Sequence, residues 1–159
     1  MTSTGTPATV ALQKAGIPFT PHAYEHADTA TNFGEEAAAL LGIDEDRVFK
    51  TLVVQADDSL VVAVVPVSGR LDLKALAAAV GAKKAALADP ALAQRRTGYV
   101  VGGISPVGQK TPLATVVDET ADLYDTVFVS GGRRGLDIEI APADLRLATG
   151  AVSAAIARA

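Results

Sequence analysis

Apolar and polar positions divide the chain into short segments of two periods. Ala8, Ala11, Leu12 and Ala15 recur at helical spacing over Pro7–Ala15. Thr6 suits the cap of that helix, Pro7 its first position and Gly16 its stop. The stretch 19–26 holds Pro21 close after Pro18, which predicts an extended edge strand with His22, Tyr24 and His26 alternating onto one face. A polar loop over 27–33 leads into a short helix over Glu35–Leu41, with Asn32 as candidate cap and Gly42 as stop. The β-branched runs Val48–Gln55 and Leu60–Val67, split by Ala56-Asp57-Asp58-Ser59, carry the best hairpin signal in the chain.

Downstream, Asp72 caps a helix over Leu73–Val80 closed by Gly81. Asp89 and Pro90 open another that Gly98 ends. Leu113–Val117 reads as a strand, Ala121–Tyr124 as a turn of helix, and Thr126–Val129 with Leu136–Ile140 as a strand pair joined by Gly131–Gly135. Pro142 starts a last helix ending near Gly150, and the alanine-rich tail carries no clear pattern. Helices and hairpins interspersed in this way predict one mixed α/β (α+β) domain over 1–159. Its sheet should be curved and largely antiparallel, flanked by helices.

Composition narrows the classes. The 159 residues suit one domain, and half are apolar although aromatics are few and tryptophan is absent. Without cysteine there is no disulfide, thiolate ligand or cysteine nucleophile. The opening residues lack the basic start and apolar core of a secretion signal, and no long uncharged apolar run suits a membrane span. A cytoplasmic protein with no membrane partner is therefore expected. The net charge of −4 argues against a generic polyanion binder, hence against DNA. Seven cations against two acids between Arg70 and Lys110 nevertheless make a basic stretch. It can be read as a phosphate-binding face, with Lys83, Lys84, Arg95 and Arg96 as candidate phosphate contacts, or as a solvated helical face.

Chemistry concentrates in three stretches, Val48–Val54, Thr97–Lys110 and Ser130–Asp137, each setting polar residues at the edge of an apolar strand. The paired Gly102 and Gly103 let backbone approach a ligand with free N–H groups, and Pro106 stiffens the shelf. Lys50 is a long cation inside an apolar strand: either a solvent-facing residue or an anchor for an anion or ester. The histidine pair lacks an evident third ligand, so no metal is expected. No Gly-x-Ser-x-Gly elbow, phosphate loop or dinucleotide fingerprint is present. What remains is a small-ligand or acyl-ester site of backbone amides, a lysine, a serine and an aspartate, beside a basic face.

The segments His22-Ala-Tyr-Glu-His26, Thr31-Asn-Phe-Gly34, Val48-Phe-Lys-Thr-Leu-Val53, Leu71-Asp-Leu-Lys74, Gly102-Gly-Ile-Ser-Pro106 and Arg134-Gly-Leu-Asp137 together resemble the YbaK-type family. These proteins are freestanding relatives of the editing domain inserted in bacterial prolyl-tRNA synthetase. The resemblance implies that fold, no cofactor, and hydrolysis in trans of Cys-tRNA(Pro), with Cys-tRNA(Cys) as a further substrate, and with mischarged tRNA as partner and prolyl-tRNA synthetase as a second one. By the same resemblance Lys50, Gly103 and Asp137 form the catalytic set, while Tyr24, Phe33, Thr51, Gly102, Ile104 and Ser130 bind substrate. The implied chemistry is substrate-assisted: the cysteine thiol attacks its own ester carbonyl and releases the tRNA. With tRNA as partner, Lys83, Lys84, Arg95 and Arg96 become the expected tRNA-binding residues. Two alternatives stay open, a deacylase drifted towards Ala-tRNA or another ester, and a non-catalytic tRNA- or synthetase-binding module.

Overall fold

The structure, a computed structural model, describes residues 5–26 and 33–159. The polar loop and the Asn32 cap expected before the second helix lie outside the described residues. Helix α1 (Pro7–Ala15) is capped by Thr6, whose side chain accepts the Thr9 N–H while its own N–H donates to Thr9 Oγ1, and Gly16 ends it at φ +69°. Strand β1 (Thr20–Ala23) follows, then α2 (Phe33–Leu41).

The hairpin forms as β2 (Phe49–Ala56) and β3 (Ser59–Pro66), paired antiparallel along their whole length. After it come β4 (Arg70–Leu71), α3 (Leu73–Val80), β5 (Ala85–Leu87) and α4 (Pro90–Thr97). Asp72 and Asp89 cap the two helices by accepting the N–H groups of Ala75 and Leu92. The remainder is β6 (Ala114–Asp118), a 3₁₀ turn over Glu119–Leu123, β7 (Val127–Arg133), β8 (Leu136–Ile140), α5 (Pro142–Thr149), β9 (Val152–Ala154) and β10 (Ala157–Arg158).

A five-stranded sheet runs β5-β2-β3-β6-β9, and a three-stranded antiparallel one runs β1-β8-β7. A parallel bridge between Val48 and Phe128 brings them together, and β4 pairs with β10. The sheet is mixed, because β6 runs parallel to β3 and β9 parallel to β6. β1 is an edge strand, which is how Pro21 fits without breaking an interior ladder.

The first sheet buries both faces. Val62 and Val64 of β3 pack with Val129 and Ile138 of the second sheet and Leu12 of α1. Val61, Ala63 and Val65 pack with Leu76 of α3 and Ile156. This explains why β3 is apolar at nearly every position instead of alternating. The tail joins the fold through buried Asp118, whose Oδ1 accepts the N–H groups of Ile156 and Ala157 at 2.9 Å each. No helix among the described residues is long and apolar enough to cross a membrane.

Candidate active site

A cleft of about 460 Å³ opens where the two sheets meet. Its floor is the outer edge of β2. The short β5 covers that edge only at Val54–Ala56, with one further bond from the Ala88 N–H to the Val53 carbonyl. Among the described residues no strand pairs with this edge at Thr51, and Thr51 Oγ1 is buried with no hydrogen-bond partner among them. In a native fold such a group calls for a ligand or water. Strand alternation sends Phe49, Thr51 and Val53 to one face, and Lys50 and Leu52 to the other. Lys50 still lines the cleft, and its Nζ donates to the Gly69 carbonyl at 3.3 Å. Lysine and threonine therefore meet the cleft from opposite sides of one strand edge.

The second sheet supplies the acid. Asp137 of β8 stands directly opposite Ser130 on β7 and His22 on β1, so all three side chains share one face. Burial pushes its carboxyl up to about 7. The backbone N–H of Tyr24 donates to the Gly135 carbonyl, fixing the tyrosine just beyond β1 at the cleft wall. Its phenol is raised to about 12, first by burial and then by the charge of Asp137. Ser130 Oγ accepts the Gly132 N–H at 3.1 Å, holding the bulge that interrupts the β7–β8 ladder before Arg133.

Gly102 lies at φ +93°, and a Cβ there would sit 3.0 Å from Arg134 Cδ and 3.2 Å from the Phe33 ring. Gly102 and Ile104 line the cleft. Gly103 corrects an expectation: its N–H is not free but donates to the Val100 carbonyl at 2.9 Å. Its Cα packs so closely that a Cβ would fall 2.6 Å from Arg133 Cα. It lies behind the cleft lining, where it lets the glycine shelf seat on the turn between β7 and β8.

Eight of the nine residues expected for catalysis and substrate binding thus line one cavity, Gly103 being the exception. The four cations do not enter it. Lys83, Lys84, Arg95 and Arg96 are exposed, the first two beside the β2–β3 turn and the arginines at the far end of α4. Pro90 and Ala93 of that helix line the cleft with Leu87 and Ala88, an apolar wall that no motif had marked. Arg134, to which its motif gives no role, stands at the same site. Its guanidinium lies 4.5 Å above the Phe33 ring centroid and its Nη2 is 3.7 Å from Glu36 Oε1, clasping the cleft mouth. Among the described residues no group of three or more acidic or imidazole side chains is placed to hold a metal.

Residues 26–147 match the aminoacyl-tRNA editing domain family. A protein of Enterococcus faecalis, EbsC, provisionally named a Cys-tRNA(Pro)/Cys-tRNA(Cys) deacylase, is 42% identical over 121 residues, covering 75% of this chain and 74% of its own. Among solved structures, a protein provisionally described as a trans-editing enzyme for prolyl-tRNA synthetase superposes with a TM-score of 0.84 at 27% identity, covering 100% of this chain and 99% of the other. The hypothetical protein APE2540 superposes with a TM-score of 0.85 at 29% identity, covering 96% and 99%. The chain belongs to the aminoacyl-tRNA editing domain family.

Proposed function

We propose that the chain is a trans-editing deacylase that hydrolyses the ester of cysteine mischarged on proline tRNA. The observation that carries this reading is the cleft itself: an unpartnered buried hydroxyl on Thr51, a buried acid on Asp137, the Ser130 hydroxyl and the Gly102 backbone converge on one small volume. The likeness to EbsC supports the choice of cysteine and proline tRNA.

Such a site binds and orients; the chain has no cysteine to act as a nucleophile, and among the described residues no base is hydrogen-bonded to Ser130. The substrate supplies that group. Its thiol sulfur bonds to the ester carbonyl carbon, the carbon–oxygen bond to the ribose breaks, and the thiol proton ends on the departing ribose oxygen. The cyclic thioester so formed is then opened by water to free cysteine, which completes the hydrolysis. Lys50 holds the anionic tRNA end at the rim, and Thr51 and the Gly102 backbone hold the ester in line for attack. Ser130 and Asp137 close the amino-acid end of the site, with Tyr24 and Phe33 as walls. Proline tRNA needs such editing because cysteine and proline are near in size and small apolar differences discriminate weakly.

The exposed Lys83, Lys84, Arg95 and Arg96 extend the surface that meets the tRNA body, and prolyl-tRNA synthetase is the source of the substrate. A cytoplasmic site of action follows from that substrate. Incubating the protein with Cys-, Ser- and Ala-tRNA(Pro) tests the reading. Fast loss of cysteine alone is expected. Preferential loss of alanine would contradict the cysteine assignment, and equal loss of all three would contradict thiol assistance.

A further inference from the structure

Asp137 is 5% exposed, yet no hydrogen bond or ion pair reaches its carboxylate from any described residue. The nearby charged groups are committed elsewhere. His22, directly opposite on β1, turns its Nε2 to Glu139 at 2.9 Å. Arg134 pairs with Glu36, and Lys50 donates to Gly69 from the opposite face of β2. Tyr24 and Ser130 contribute only neutral hydroxyls on the cleft side. A buried carboxylate that no cation reaches, though Lys50 lines the same cleft, is placed to pair with a cation that enters it.

We propose that Asp137 is the receptor for the substrate's α-ammonium group, so that the cleft accepts esters with a free α-amine and rejects those whose amine is missing or acylated. This rests on the deacylase reading of the same cleft. An aminoacyl ester carries one cation next to its carbonyl, and pairing it with Asp137 fixes the α-carbon from which both side chain and ester project. The anchored ammonium leaves the side chain only rotation about one bond to reach the carbonyl. An N-acylated ester, such as one carrying a growing peptide, sets an uncharged amide against the unpaired acid and loses the interaction. The cleft would thereby spare peptidyl esters while clearing mischarged ones.

The test uses two stable amides of 3′-amino-3′-deoxyadenosine, one carrying cysteine and the other 3-mercaptopropanoate, which lacks the amine without added bulk. Calorimetric titration of the wild-type protein should give at least ~tenfold tighter binding of the cysteinyl probe, the scale of a charge-assisted hydrogen bond. In Asp137→Asn the two should bind within ~threefold of each other. Equal binding by the wild type overturns the proposal without any variant having to fold. A preference that survives in Asp137→Asn overturns Asp137 as the receptor. Hydrolysis of Cys-tRNA(Pro) together with equal probe binding removes the receptor alone, whereas a tenfold preference without hydrolysis supports the receptor and removes the deacylase reading.

Discussion

Ser130 and Asp137 face one another across the β7–β8 ladder at the point where it breaks into a bulge. Extra backbone at Gly131 and Gly132 turns the strand away and leaves the acid at the cleft wall, with the Ser130 hydroxyl opposite it on β7. This ties the protein's pH dependence to its site. Asp137 has its carboxyl raised to about 7 by burial, above the ordinary value of 3.8. Both folded and unfolded chains hold that proton below about pH 4. Between about 4 and 7 the unfolded chain ionises first, so stability falls as pH rises, and above about 7 the loss is complete. The shift corresponds to roughly 4 kcal/mol as an upper bound. Asp137→Asn should flatten this part of the profile and raise the melting temperature at pH 8. Melting curves from pH 4 to 8 for both proteins check it, and parallel profiles would contradict it.

Gly103 should behave as a packing residue. An alanine Cβ would meet the Arg133 backbone at 2.6 Å, where no flexible side chain can yield. Gly103→Ala is expected to cost about 1–3 kcal/mol or more through overpacking. Gly16→Ala meets open space and pays only for its left-handed backbone, about 1 kcal/mol. Denaturant titration of both variants measures the difference, and an equal cost would contradict the packing account.

Asp118 should matter to stability and not to the reaction. It is buried, and it holds the Ile156 and Ala157 N–H groups together with the Thr120 N–H and hydroxyl. Asp118→Ala leaves these donors stranded, at about 2–4 kcal/mol. Hydrogen exchange should speed up in β10 and at Ile156 before the rest of the chain. Uniform protection in the variant would show that the tail is held otherwise.

The hairpin, the helix caps and the stretches around the cleft were legible because each rests on local chemistry: β-branched runs, aspartates before helices, glycines at stops. The short strands β4, β5, β9 and β10 were not. Arg70–Leu71 and Ala157–Arg158 acquire strand structure only by pairing with each other, and Ala85–Leu87 only by lying on β2. Their own residues favour no period. The same limit hid the cleft's apolar wall, since Leu87 and Ala93 look ordinary until β5 and α4 fold against β2. Gly103 shows the reverse case. Paired glycines marked a close approach correctly, but the partner is the Arg133 backbone and the N–H is already bound to Val100.

Lys50 offers the most direct test. Its ammonium meets one carbonyl at 3.3 Å on a half-buried strand edge, so Lys50→Ala should cost the fold no more than about 1 kcal/mol. Single-turnover hydrolysis of Cys-tRNA(Pro) by wild type and Lys50→Ala, with melting curves run beside it, is the decisive measurement. The account predicts release of cysteine by the wild type and a loss of about a hundredfold or more in a variant that still melts as the parent does, as expected when a group that positions the substrate is removed. Equal rates from the two folded proteins would contradict it.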